Sequence, residues 1–150
     1  MAHLAQLNVA RLAHDLEHPA LQPFVDALDS VNADADAAPG FVWRWEEPTH
    51  SADRLRLFGF DMIVNLSVWT DLDALERYVY DDAHLAVMRQ RRSFFRRMET
   101  PNLVLWWVPE GHEPGLVEAR ERLDRLAAEG PTPSAFTMRQ AFDPAGASLH

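Results

Sequence analysis

The sequence predicts an α+β domain with the ferredoxin-like split βαβ order, in which a four-stranded antiparallel sheet carries helices on one face. Apolar residues alternate with other residues over several short segments, as in strands, and recur at three- and four-residue spacing over longer ones, as in helices. The segments follow one another as strand, helix, strand, strand, helix, strand. One more amphipathic segment near the C-terminus adds a helix outside this βαββαβ repeat.

The first half of the repeat is predicted over residues 3–47. Side chains alternate over residues 3–9, which predicts a strand. Apolar residues recur at helical spacing over residues 20–38, and Pro39-Gly40 ends that helix. Residues 41–47 are rich in aromatic and β-branched side chains, which predicts the second strand, and a polar connection follows it.

The second half begins with a strand over residues 62–69, where the side chains alternate again. Asp71 is the predicted N-cap of the next helix. A break at Asp81-Asp82 precedes a further helical stretch that is predicted to reach about residue 98. The apolar run over residues 103–108 predicts the fourth strand.

The chain is predicted to form one domain over residues 1–143. Its core covers residues 1–110, and residues 111–143 form a C-terminal helix and tail, with the helix at about residues 116–128. Residues 144–150 are small and polar, so we expect them to be disordered.

Composition excludes several classes of function. Cysteine is absent from the 150 residues, which rules out a disulfide framework, a thiolate nucleophile and a zinc site with cysteine ligands. The histidines show no metal-ligand spacing, and no glycine-rich phosphate loop is present, so we expect no metal or nucleotide cofactor. The sequence contains no leader pattern and no apolar run of membrane-spanning length, so we expect a cytoplasmic protein without membrane contact.

The arginine-rich run over residues 89–97 is interpreted as a solvated helix face rather than a nucleic-acid site. The formal net charge of −9 repels phosphate backbones, and many carboxylates are available to pair with these arginines. We therefore expect no nucleic-acid partner.

Two ionisable residues are predicted on the apolar side of the long second-half helix. On a helical wheel, His84 and Arg91 fall near the centre of a stripe that includes Met88. A buried guanidinium without a partner is costly, so such residues are paired or line a cavity. His84 is the candidate acid or base, and Arg91 is the candidate stabiliser of negative charge. The alternative is a histidine satisfied within the core and an arginine that holds a structural carboxylate.

The predicted sheet adds neutral hydrogen-bonding groups. Gln6 and Asn8 share one face of the first strand, and Asn65 and Ser67 share one face of the third. If this face looks toward the helices, the four side chains oppose His84 and Arg91, and the opposite apolar face is suited to a dimer contact. The alternative is that these amides tie the strands to the helices structurally.

Other candidates for the ligand-binding lining come from both helices and from the aromatic strands. Asn32 lies on the apolar stripe of the first helix, and Tyr78 offers a phenolic donor. Most tryptophans are expected in the core or a dimer interface. Alternation sends Trp106 and Trp107 to opposite faces, so one of them is a lining candidate, and Trp43 is another.

Five stretches of sequence resemble a known family. They are APGFVWRW (38–45), VNLSVW (64–69), the Y-V-Y…H…M…R…F pattern (78–95), LVLWWVPEGHEP (103–114) and GPTPSAFT (130–137). This set is similar to domain of unknown function family 3291, which is related to the antibiotic-biosynthesis-monooxygenase type of dimeric α/β barrel. The resemblance implies a homodimer whose two sheets pack together as a shared barrel.

The resemblance leaves several reactions open, because relatives of this architecture include quinone-forming monooxygenases, haem-degrading enzymes, cyclases and dehydratases. In the haem-degrading relatives an Asn on the first strand works with a Trp and a His on the second helix. Asn8 fits the first of these positions, but Tyr78 and Met88 stand at the other two. We therefore favour a cofactor-independent acid–base enzyme acting on an apolar, aromatic or polyketide-like substrate; the alternative is a non-catalytic binding module for a metabolite or haem.

Overall fold

The computed structural model describes residues 1–14, 17–46, 52–81 and 94–149. His84, Met88 and Arg91 lie outside the described residues. The elements, in chain order, are β1 (Ala2–Leu12), a 3₁₀ turn (Pro19–Leu21), α1 (Gln22–Ala37), β2 (Phe41–Arg44), α2 (Ala52–Phe58), β3 (Met62–Trp69), α3 (Leu72–Val79), β4 (Phe95–Arg96), β5 (Leu103–Pro109) and α4 (Leu116–Glu129).

The described strands form one antiparallel sheet with β1 at its centre. On one side β1 pairs with β3, in a register that runs from Leu4 opposite Trp69 to Arg11 opposite Met62. On the other side β1 pairs first with β5 and then, at Arg11 and Leu12, with the short β4. Strand β2 pairs with the outer edge of β3. The order β2-β3-β1-β5 is the ferredoxin-like one, so the predicted fold class is confirmed.

The two helices of the repeat cover one face of this sheet. Leu4 and Trp69 pack with Ala74 and Leu75 of α3. Nearer the other end of β1, Leu12 packs with Phe24 of α1. Residues on this face of β1 have even numbers, so Gln6 and Asn8 lie on the helix-covered face, as the sequence predicted.

The opposite face of the sheet is covered by the C-terminal helix. Leu7 and Leu66 are fully buried in a cluster with Ala119 and Leu123 of α4, and Phe58 of α2 joins the same cluster. This burial follows from the amphipathic pattern of α4, whose apolar stripe needs an apolar surface to cover. The apolar face that we expected to be free for a dimer contact is therefore covered within the chain itself.

Several predicted boundaries agree with the structure. Strand β3 occupies the predicted residues 62–69. Asp71 caps α3 by accepting a hydrogen bond from the backbone N–H of Ala74 at 2.8 Å. Helix α4 ends at Gly130, whose φ of 73° is in the region that favours glycine.

Three local predictions differ from the structure. Residues 52–58, expected in a polar connection, form the helix α2, whose Phe58 is buried. Phe95–Arg96, expected in a helix reaching residue 98, form β4 because the long β1 offers them partners at Arg11 and Leu12. The expected disordered tail is a turn, in which the Asp143 N–H donates to the Ala147 carbonyl at 2.8 Å and the Leu149 N–H to the Ala141 carbonyl at 2.9 Å.

Within the described part of the chain, the helices are too short or too polar for any of them to cross a lipid bilayer.

Candidate small-molecule site

Gln6 is the centre of a hydrogen-bonding network on the helix-covered face of the sheet. Its amide nitrogen donates to the Ser67 hydroxyl at 2.8 Å and to Asn65 Oδ1 at 2.9 Å, across the β1–β3 pair. Its amide oxygen accepts from Asn8 Nδ2 at 2.9 Å. The sequence predicted that these four side chains share a face, and the structure joins them into one network.

The inner end of the network is closed by aromatic residues. Trp69 donates its indole N–H to the Ser67 hydroxyl at 3.0 Å. The Trp69 ring stacks on Tyr78 of α3, with 5.2 Å between the ring centroids and 28° between the planes. Burial raises the pKa of the Tyr78 phenol above its ordinary value of 10.0, and this outweighs the opposing effect of the Arg44 charge. Tyr78 is therefore neutral at physiological pH.

The outer end of the network is open. Gln6 and Ser67 are buried, whereas Asn8 is half-buried and Asn65 is exposed. Within the described residues, Asn8 Oδ1 and Asn65 Nδ2 make no hydrogen bond, so the network ends in one free acceptor and one free donor. The oxygen and nitrogen of all three amides can be exchanged together. Asn8 then has the free donor and Asn65 the free acceptor, so the network still ends in one of each.

Arg44 is a charged member of this face that sequence reasoning missed. It lies opposite Ser67 in the β2–β3 register, and its side chain is only 15% exposed. The guanidinium pairs with Asp36 at 3.0 Å and donates to the Asn32 carbonyl at 3.2 Å, while its Nε is buried without a partner. The signal was present, since alternation over residues 43–45 places Arg44 on the opposite face from both tryptophans.

The remaining candidates divide between the two faces. Asn32 contributes to this region with its backbone carbonyl, which accepts a hydrogen bond from the Arg44 guanidinium. Trp43 and Trp106 instead lie on the far face, in the cluster beneath α4, and the Trp106 indole donates to Glu118 at 2.8 Å. Trp107 is the tryptophan of its pair that shares a face with Leu4. The structure thus separates Trp43 and Trp106 from the polar network.

Cavities bounded by described residues lie beside Phe60, beside Gly115 and beside Tyr78, and Gln6, Asn8, Asn65 and Ser67 line none of these. The side chains expected above the network from residues 82–93 lie outside the described residues. No group of three or more potential metal-ligating side chains occurs in the described ranges.

The fold and the network together define the class of the protein, which is a ferredoxin-like α+β domain with a neutral hydrogen-bonding network beneath its helices. The chain belongs to the family described as domain of unknown function (DUF3291), whose model matches residues 3–150. No protein of curated function matches the chain.

Two of the following solved structures, those aligned with a TM-score above 0.5, show the same fold at low sequence identity. A conserved protein from Methanosarcina mazei aligns with a TM-score of 0.53 at 9% identity, over 71% of this chain and 92% of that chain. A protein of unknown function from Nitrosomonas europaea aligns with a TM-score of 0.52 at 16% identity, over 77% and 97%. SnoaB, a cofactor-independent oxygenase from Streptomyces nogalater, aligns with a TM-score of 0.49 at 20% identity, over 77% and 98%.

Proposed function

We propose that the chain is a small-molecule enzyme that binds an apolar, aromatic or polyketide-like substrate at the open end of the Gln6 network. Asn8 and Asn65 orient an oxygen-bearing edge of the substrate, His84 moves a proton, and Arg91 stabilises the negative charge that develops. This chemistry requires no metal or nucleotide cofactor.

The observation that supports this proposal is the pairing of one free acceptor with one free donor on adjacent strands. Asn8 and Asn65 are directly opposite in the β1–β3 register, so their amides are neighbours. A hydroxyketone presents the complementary groups, because its carbonyl accepts from one amide and its hydroxyl donates to the other. The buried part of the network fixes the Gln6 amide, and through it the two outer amides, before any ligand arrives.

The proposed reaction is proton abstraction from the carbon beside the carbonyl. His84 takes the proton, the C–H electron pair moves into the enolate, and the enolate oxygen carries the negative charge beside Arg91. Both residues lie outside the described residues, so their roles rest on the apolar stripe of the sequence.

Exchange of the α-protons of α-hydroxyacetophenone with D₂O, followed by proton NMR, tests the reaction directly. We expect the wild type to accelerate exchange, His84→Ala to abolish the acceleration, and Asn8→Ala/Asn65→Ala to weaken it through a raised KM. Arg97→Gln, an exposed arginine beyond the predicted stripe, is the matched control. Full activity of both His84→Ala and Arg91→Leu would contradict the assignment.

The neutral character of the described network favours a second candidate, a non-catalytic module that binds a metabolite or haem. Gln6, Asn8, Asn65 and Ser67 carry no charge, and burial keeps Tyr78 protonated, so these groups position a ligand without exchanging protons. Retained ligand in native mass spectra without α-proton exchange, or a visible band on adding hemin, would favour this reading. The same spectra report whether the chain forms the homodimer that the family resemblance implies.

A further inference from the structure

A cavity of about 430 Å³ lies where β1 ends and β3 begins, and its lining does not include Gln6, Asn8, Asn65 or Ser67. One part of its wall is apolar and includes Leu12, Ile63 and Val64. Phe60, which is 77% exposed, belongs to the same wall. The volume is in the range of small-molecule sites, and the apolar wall suits a hydrophobic or aromatic ligand body.

The polar part of this wall carries guanidinium groups. Arg54 and Arg96 both line the cavity. Arg96 is also directly opposite Arg11 in the β1–β4 register, an arrangement of like charges that destabilises a strand pair unless the charge is balanced.

The described carboxylates that line the cavity form no ion pair with Arg96. Asp61 lines the cavity but is paired with Arg11 at 2.8 Å, and the exposed Glu17, which also lines it, makes no ion pair with Arg96 within the described residues. Arg96 is an exposed residue, and within the described ranges its side chain makes no hydrogen bond and no ion pair. A guanidinium group without a partner at the wall of a partly apolar cavity is complementary to a planar carboxylate.

We propose that this cavity binds a small carboxylic acid with an apolar body. The carboxylate pairs with Arg96, and the apolar body packs against Phe60 and Ile63. The bound carboxylate balances the charge of Arg96 as Asp61 balances that of Arg11, which gives the cavity a preference for anions despite the net charge of −9 of the chain. The site shares no residue with the Gln6 network, so it is proposed as a second ligand site beside the one in the proposed reaction.

Isothermal titration calorimetry with 2-naphthoate, and with the neutral 2-naphthamide of the same shape, tests this site. We expect one-to-one binding of 2-naphthoate, about tenfold weaker binding of the amide, and about tenfold weaker binding of 2-naphthoate to Arg96→Gln. The adjacent Arg97→Gln is the matched control and should bind like the wild type. Phe60→Ser should weaken both ligands, because it removes the apolar contact without disturbing the buried core.

Several outcomes overturn the proposal. They are no heat of binding at millimolar 2-naphthoate, equal affinity for the amide, unchanged affinity of Arg96→Gln in a folded protein, and equal losses in Arg96→Gln and Arg97→Gln. Asn8→Ala/Asn65→Ala should leave 2-naphthoate binding unchanged. Failure at this cavity is thus distinguishable from failure of the proposed enzyme activity.

Discussion

Gln6 on β1 donates to the Ser67 hydroxyl on β3 at 2.8 Å, and each of these residues is only 4% exposed. Polar groups buried this deeply are stable only when they are hydrogen-bonded. Here the cost of burial is offset by a chain of bonds that reaches from the Trp69 indole to the amides of Asn8 and Asn65. The network therefore stabilises the β1–β3 pair, and under the proposed function its open end binds the ligand.

Removing the centre of the network should destabilise the fold. Gln6→Leu leaves the buried Ser67 hydroxyl with the Trp69 indole alone and removes the acceptor of the Asn8 amide, and we expect a loss of about 1–3 kcal/mol in the free energy of unfolding. Asn65→Ala is the control, because water reaches that exposed end and the loss should stay within about 0.5 kcal/mol. Urea denaturation measures both, and equal losses would show that Gln6 has no central role.

The buried phenol of Tyr78 should make stability depend on pH in alkaline solution. Its pKa is raised in the folded state by burial, so the unfolded state loses the proton first as the pH rises. Stability should be full below about pH 10 and should fall as the pH rises through the folded pKa. Tyr78→Phe should show a shallower fall, whereas the control Tyr80→Phe, at a tyrosine that is 66% exposed, should follow the wild type. Identical profiles for wild type and Tyr78→Phe in urea titrations would contradict this.

Gly40 lies in the turn between α1 and β2, where the backbone packs closely against α3. Its φ is 88°, and a Cβ there would collide with the Ala74 side chain and lie 2.7 Å from Thr70 Oγ1. Gly111 has the same φ of 88° with no atom within 4 Å of the added carbon. We expect Gly111→Ala to cost about 1–2 kcal/mol from backbone strain alone. Gly40→Ala should cost clearly more in thermal or urea unfolding, and similar costs would mean that the close approach to Ala74 is unimportant.

The carboxylate of Glu118 satisfies a fully buried indole on the other face of the sheet. One of its oxygens accepts from the Trp106 N–H at 2.8 Å, and the other lies 2.7 Å from His112 Nε2. Glu118→Ala should lower the free energy of unfolding by about 1–3 kcal/mol, because the indole N–H loses its acceptor. Glu121→Ala, which removes only an exposed contact to Arg125 on the same helix, should change it by less than about 0.5 kcal/mol. Chemical denaturation of the two variants compares them, and a smaller loss for Glu118→Ala would contradict the role.

Alternation was sufficient to place Gln6, Asn8 and Ser67, because a strand's period of two fixes which side chains share a face. It could not decide between Trp106 and Trp107, since that choice depends on the register of β5 against β1, in which Trp106 is opposite Ala5.

Other features depend on tertiary contacts that leave little local pattern. Helix α2 has only seven residues, and a helix this short depends on packing of residues such as Phe58 rather than on its own propensity. Strand β4 has two residues, and it forms because β1 extends far enough to pair with it. The ion pair between Arg44 and Asp36 likewise joins strand β2 to helix α1, and no sequence motif links the two residues.

The most direct test of the proposed site is an NMR titration of the assigned side-chain amides with α-hydroxyacetophenone, using ethylbenzene as the control that lacks both oxygens. We expect the Asn8 and Asn65 signals to shift together with one dissociation constant, while the signal of the exposed Gln22 amide stays unchanged and ethylbenzene does not produce the same shifts. Saturable binding that leaves the Asn8 and Asn65 amides unchanged would contradict it.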